Sequence, residues 1–235
     1  MALLTWGSAI ALWILLTCAV TFNLLPFQNK LSGNLLVSSL LFFNNLNIFI
    51  SLCEICLGYH IKFIQKDYKA RLKKFGKGKQ WEGAFELLRT PLSVADCFKG
   101  KTWALMWSTY SLFDPSYQNH ESFGFFIDVG NGWTTIPSCI LLNYVMIFPD
   151  DAVKWLSYEI VGCIIVASNW QMLYGTLIYS LSFIFNKRWR GHNVSSMILF
   201  VGSTNGVWVI FPAMAIYSAY FIIKDRSYGI FMEQR

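Results

Sequence analysis

The chain has 235 residues, of which 55% are hydrophobic, 17% aromatic and only 14% charged, with a mean hydropathy of +0.43. A soluble domain carries about a quarter of its residues as charges, so the composition excludes an ordinary soluble fold and predicts an all-α, polytopic helical bundle in a membrane, 1–235 as a single domain. The net charge of +6 does not indicate nucleic acid, because the basic residues crowd into one segment with no accompanying nucleic-acid motif.

Five spans of roughly 20 mostly apolar residues are expected, at about 6–26, 36–61, 123–148, 155–185 and 194–223. The first begins apolar at residue 2, without a basic leader or a small-residue cleavage site, and is expected to be a retained span. Between the second and third lies a soluble segment, 62–122. Its first half interleaves Lys62, Lys66, Lys69, Arg71, Lys73, Lys74, Lys77 and Lys79 with Phe63, Ile64, Tyr68, Leu72 and Phe75. That pattern suits a basic amphipathic helix on an anionic leaflet, and equally a solvated charged helix. The stretch from Thr102 to Tyr110, with Trp103 and Trp107, is expected at the interface or over a cavity mouth.

Charge sets an expected orientation. Together, 62–122 and 186–192 hold 14 of the 19 basic residues, against Lys30, Lys154, Lys224, Arg226 and Arg235 on the other side. The positive-inside rule then puts 62–122 in the cytosol, and the sequon at Asn193-Val-Ser195 on the same side. Of the six cysteines, Cys53 and Cys56 form a Cys-x-x-Cys. They lack nearby further ligands and are read as small buried hydrophobes. No metal or cofactor is expected.

Two carboxylates stand out: Glu54 in Asn-Ile-Phe-Ile-Ser-Leu-Cys-Glu-Ile-Cys-Leu-Gly (47–58), and Asp128 in Phe-Gly-Phe-Phe-Ile-Asp-Val-Gly-Asn-Gly-Trp (123–133). An ionisable group inside a span costs several kcal/mol and persists where it faces a polar cavity, a partner or a substrate. Asn44, Asn47, Ser51 and Glu54 follow steps of three, four and three and share a helix face; Asp128, Asn131 and Thr135 do the same. The fourth span adds Asn169, Gln171, Tyr174 and Thr176, the fifth Ser203, Thr204, Asn205 and Trp208. These faces are expected to converge on one interior cavity. Taken singly, the amides and hydroxyls fit interhelical glue equally well. A carboxylate is a costly glue. Glu159, close to Lys154 near an interface, is expected to be structural.

Three segments, in order, resemble the emopamil-binding protein family, the membrane sterol Δ8–Δ7 isomerases and their relatives. They are Tyr110-Ser-Leu-Phe-Asp114-Pro-Ser-Tyr117 followed by Asp128 and Pro137; Tyr174-Gly175-Thr-Leu-Ile-Tyr179, with Thr176 at a family aspartate; and Asn205-Gly-Val-Trp208-Val-Ile-Phe-Pro212. Glu54 falls at the family's span-two glutamate. The likeness covers about 40–223. It implies a five-span fold, an endoplasmic-reticulum membrane and carbocation chemistry, in which an acid protonates an alkene, an aromatic face holds the cation and a base removes another proton. Glu54 and Asp128 are then the candidate acids, and Trp208 the cation–π face. Asn47, Asn131, Tyr174, Tyr179 and Asn205 are the candidate substrate-binding residues. The family's isomerases carry a histidine four residues before that glutamate; here the position is Ile50. The segment 62–100 is largely an insertion, and the family's orientation places this loop in the lumen, against the charge argument.

An acid must hold its proton at neutral pH, and a double-bond shift also needs a placed base, which Ile50 is not. Opening and cyclising an isoprenoid epoxide needs an acid first, and the ring-closing alkene or hydroxyl is supplied by the substrate. A terpenoid cyclase is therefore expected ahead of a sterol isomerase. A non-catalytic binder of sterols or lipophilic amines is the alternative of another class; a transporter ranks last, since neither repeats nor broken helices are visible. The expected partners are a hydrophobic isoprenoid or sterol, membrane lipids and, as an assembly, a homodimer; no nucleic acid is expected.

Overall fold

The computed structural model describes residues 4–25, 34–76, 78–190 and 192–232. The end of the first expected span at residue 26, and Lys30, Lys77 and Arg235 in the charge tally, lie outside them. The fold is an all-α helical bundle; the two-residue pairing of Leu4–Thr5 with Pro91–Leu92 is the sheet found among the described residues.

Four helices are long and apolar enough to cross a membrane, namely Trp6–Leu24, Leu35–Tyr59, Tyr158–Phe185 and Ile198–Asp225. A fifth candidate is Phe123–Ile147, which bends by 119° into the short helix Pro149–Trp155. The bend falls where Pro149 takes the first helical position after Phe148. A proline there lacks an N–H the new helix would leave unpaired anyway, while its ring obstructs continuation of the old one. The expected third span thus ends at Ile147, and the fourth begins three residues later than the sequence suggests, at Tyr158.

The 62–122 segment folds into helices at Ile61–Phe75, Gln80–Arg89, Val94–Cys97 and Gly100–Tyr110, then a 3₁₀ turn at Pro115–Gln118. Ser93 caps the shortest of them in a reciprocal capping box with Asp96, and Lys99 with Ser93 holds the exposed Asp96 carboxyl well below the usual range. The basic stretch from Lys62 to Lys74 lies on one helix, as its interleaved pattern suggests, while Lys79 precedes the next helix. Ile64 and Phe75 are buried along it.

By its contacts the chain divides into two compact units: one of Met1–Trp13, Ile50–Trp133 and Leu177–Asn205, and another of Ile14–Phe49, Thr134–Thr176 and Gly206–Arg235. The long helices contribute to both. In the first unit, Trp6, Leu87 and Leu92 form a small core joined by Trp103 and Ile10. The Trp6 indole N–H donates to the Thr102 carbonyl at 3.1 Å. A second aromatic cluster stacks Phe113 on Phe200, with centroids 3.9 Å apart, and sets Trp81 edge-on to both. The second unit holds the aliphatic core, built from Val37, Leu40, Leu142, Val145, Ile165, Ala215 and Ile222 among others.

The last long helix starts with a π-helical turn, Ile198–Gly202. Such a widened turn releases carbonyls from the regular ladder. Three successive side chains take them up: the Ser203 hydroxyl bonds the Leu199 carbonyl, Thr204 Oγ1 donates to Phe200 at 2.5 Å and Asn205 Nδ2 to Val201 at 2.7 Å.

Candidate functional site

The carboxylates are set in the first unit by two helices that approach closely. Glu54 lies five residues before the end of its helix at Tyr59, and Asp128 five residues after the start of its helix at Phe123. Each is thus about 7 Å from a helix end at 1.5 Å per residue. A Cβ at Gly132 would come within 2.9 Å of Glu54 Cβ, the Ile55 amide nitrogen and the Ser51 carbonyl oxygen, and one at Gly58 would press on Val129. Glycine at these two places lets backbone meet backbone.

Glu54 is only 4% exposed. Ser51 hydrogen-bonds its carboxyl, and Asp128 lies close enough to act on its charge. Its Oε2 has no hydrogen-bond partner among the described residues. The Trp107 indole N–H donates to the Cys53 carbonyl at 2.7 Å, which ties the Gly100–Tyr110 helix to the same stretch. That helix buries Trp107 rather than presenting it at an interface. The cysteines of the Cys-x-x-Cys are free thiols, and Cys53 is buried.

A line of polar groups runs through the same unit. The rings of Tyr117 and Tyr179 lie with their centroids 5.8 Å apart. The Tyr179 hydroxyl donates to Asp114 Oδ2 at 2.6 Å. Asp114, fully buried, also accepts from Arg188 Nη1 at 3.1 Å and, at Oδ1, from the Ser116 amide at 3.0 Å. The last of these caps the 3₁₀ turn that carries Tyr117. Arg188 reaches the wall of a cavity of about 550 Å³, lined also by Ser116, Asn119, Asn186, Arg190 and His192. Beside the line, Tyr110 sits edge-on to Tyr117 and accepts from Asn205 Nδ2 at 3.2 Å. Removal from water pushes the Tyr110 phenol up to about 12 and the Tyr117 phenol well up, so both are neutral hydroxyls at any physiological pH.

The remaining predicted residues, Asn131 apart, fall in the second unit. Asn47 Oδ1 accepts from the Trp208 indole N–H at 2.8 Å, and its amide donates to Thr135 Oγ1 at 3.1 Å. Phe43 meets the Trp208 ring edge-on. Asn44 donates to Asn143 at 2.7 Å, and Asn143 to Asn45 at 3.3 Å. Gln171 donates to Thr134. Tyr174 stands half-exposed, its ring stacked on Trp170. Asn131, in the first unit, is buried. Thus the one polar face predicted on the second span is real, since Asn44, Asn47, Ser51 and Glu54 are all buried. Its two halves serve different clusters. Glu159 pairs with Arg226 at 2.9 Å, both side chains exposed.

Sequence reasoning did not single out Asp114, Tyr117 or Arg188 as site residues. The Tyr-x-x-x-Asp-x-x-Tyr spacing was the available signal for the first two. Arg188 carried none beyond its loop. Comparison of the chain with protein-family models, with curated proteins and with solved structures yields no match.

Proposed function

We propose that this membrane protein is an enzyme of proton-initiated carbocation chemistry on a hydrophobic isoprenoid, a terpenoid epoxide cyclase, with Glu54 and Asp128 as its acid pair. The observation that carries the reading is the juxtaposition in one unit of a buried carboxylate, Glu54, and a partly buried one, Asp128, the first with a bare oxygen facing no protein donor. One carboxyl of such a pair serves as proton donor and the other as acceptor. An incoming epoxide oxygen or alkene takes that proton, the substrate's own alkene or hydroxyl closes the ring, and the second carboxylate accepts the proton released at the end. The motif likeness to the emopamil-binding family supports the same chemistry and an endoplasmic-reticulum location. The absence of a histidine at Ile50 favours cyclisation over a sterol double-bond shift.

The test supplies membranes carrying the protein with farnesyl-type epoxides and, separately, a Δ8-sterol, and identifies products by mass spectrometry. A cyclised product from the epoxide is expected. Glu54→Gln and Asp128→Asn should each lower turnover by about 10²–10⁴, the usual contribution of a general acid, while protein still accumulates in the membrane. Full activity in both variants defeats the acid reading. The bare oxygen of Glu54 also suits the ammonium of a lipophilic amine; binding of such an amine that is lost in Glu54→Gln, with no product from either substrate, would establish a binder instead.

A further inference from the structure

We infer that the polar cavity at Arg188 is a binding site for a phosphate monoester, carried by a lipid headgroup or by a small soluble phosphate. The inference is independent of the acid reading of Glu54 and Asp128.

The long helix Tyr158–Phe185 ends beside this cavity, and the chain closes over its end in a Schellman turn. The Lys187 amide donates to the Ile184 carbonyl at 3.0 Å and the Arg188 amide to the Phe183 carbonyl at 3.1 Å, the two bonds that define this ending. Such a turn puts the residue after the cap in the left-handed region, where glycine is usual because a Cβ is strained. Here that residue is Lys187, at φ 53°. The chain bears the strain and gains a cation on the cavity wall. The Arg190 amide donates in turn to the Lys187 carbonyl at 2.9 Å, so Lys187, Arg188 and Arg190 line one cavity from one compact turn.

Charge decides the ligand. None of the residues lining the cavity is acidic. Behind the wall, Asp114 accepts from Arg188 Nη1 at 3.1 Å and answers one of the cations. The carbonyl end of the helix contributes about half a negative charge. No carboxylate pairs with Lys187 or Arg190 among the described residues. Roughly one and a half positive charges are therefore left uncompensated. A carboxylate ligand would cover only part of that excess, whereas a phosphate monoester brings about −1.5 to −2 at neutral pH.

The donors are held in place as well as charged. Arg188 is clamped between Asp114 and Ser182, whose Oγ accepts from Nη2 at 2.8 Å. A guanidinium has five N–H donors, more than these two bonds use, and clamping it beforehand removes much of the ordering cost of binding. His192 adds a neutral donor. The buried Gln80 accepts the Gly78 N–H on Oε1 at 3.2 Å, so its amide nitrogen is what meets His192 Nδ1. That nitrogen then accepts, and the ring proton sits on Nε2. The cavity's volume of about 550 Å³ lies in the range of small-molecule sites and leaves room for the glycerol or inositol that bears the phosphate. Phe185, 87% exposed, and Trp189, 40% exposed, flank the turn, as aromatic side chains do at headgroup level.

The test offers the full-length protein two probes. In phosphatidylcholine nanodiscs containing a small fraction of phosphatidic acid, native mass spectrometry reads the retained lipid; in phosphatidylcholine alone, calorimetry reads binding of glycerol phosphate. Phosphatidic acid held without heat from glycerol phosphate marks a lipid headgroup as the source, and heat from glycerol phosphate marks a soluble one. Binding of neither overturns the site. Arg190→Gln and Lys187→Gly should each weaken the bound probe by about tenfold, the worth of one hydrogen bond to a charged group. Lys187→Gly should also raise Tm, because glycine takes this backbone conformation without strain; a Tm that falls with the affinity would mean lost folding and overturn the assignment of Lys187. Lys69→Gln removes a cation from an exposed place on the same unit, outside the cavity, and should bind as wild type. Equal weakening in Lys69→Gln and Arg190→Gln would reveal general attraction to a basic surface and overturn the site, as would wild-type affinity in both Arg190→Gln and Lys187→Gly. Should one of those two fail to fold, the other decides.

Discussion

The second span uses polar residues in two opposed ways. Toward its start, Asn44 and Asn47 sit in a closed lattice in which amide donors meet amide, hydroxyl and indole partners. Toward its end, Ser51 and Glu54 sit in a lattice that stays open, with one carboxyl oxygen unmatched. A satisfied amide is explained by the helices it joins. A buried carboxylate with a vacant oxygen is not, because leaving a charged group's bonds unmade costs more than the packing returns. The contrast separates glue from site on one helix face, where residue type and spacing look alike.

The strongest attack on the open lattice after the carboxylates themselves is Gly132→Ala. Its Cβ would meet backbone at 2.9 Å, and backbone does not give way as a flexible side chain does. A loss of about 1–3 kcal/mol is expected, read as a lowered Tm in detergent, together with loss of any turnover. An unchanged Tm would mean that the two helices do not touch there. The closed lattice predicts a different signature. Asn44→Leu or Asn143→Leu alone should destabilise by about 1–2 kcal/mol by orphaning a buried amide, and the double variant should recover part of that. Strict additivity in the double-mutant cycle would show that the amides do not pair.

Trp208 tests which side of the comparison it belongs to. Trp208→Phe removes the hydrogen bond to Asn47 and keeps an aromatic face; a cost of about 1 kcal/mol in stability is expected. If the ring also stabilises a cation, Trp208→Leu should lose far more turnover than Trp208→Phe, whereas equal losses would assign it wholly to the lattice. The smallest expected effect is alkaline. The Tyr110 phenol is raised from about 10 in the unfolded chain to about 12 in the fold. Above pH 10 the unfolded chain sheds this proton while the folded one keeps it. Stability present below pH 10 is therefore lost as pH rises toward 12. Tyr110→Phe should flatten that part of the pH–stability curve. An identical slope in wild type and variant would show that Tyr110 titrates normally.

Much of this was legible in the residues. Hydropathy located the long helices to within a few positions, and steps of three and four put Asn44, Asn47, Ser51 and Glu54 on one buried face. The bend after Ile147 was not foreseen, because the apolar run continues past Phe148 and only Pro149 marks the break. The cluster around Asp114 was hidden for a different reason. Tyr117, Tyr179 and Asp114 come from a 3₁₀ turn, a long helix and a loop, and periodicity within one element says nothing about groups that meet only after folding. Arg188 is one cation among several in its segment, and its partner Asp114 lies 74 positions away.

The π-helical turn at Ile198–Gly202 gives this end of the site room for a deletion. A turn of that kind holds one residue more than an α-helical turn. Removing one residue there would restore a regular turn and leave the helix from Ser203 onward close to its present phase. Asn205 would still meet the Tyr110 hydroxyl it now contacts. Removing Ser203 or Thr204, from the regular helix that follows, would instead turn the rest by about 100° about its axis and hand Tyr110 a glycine, Gly206, in place of an amide.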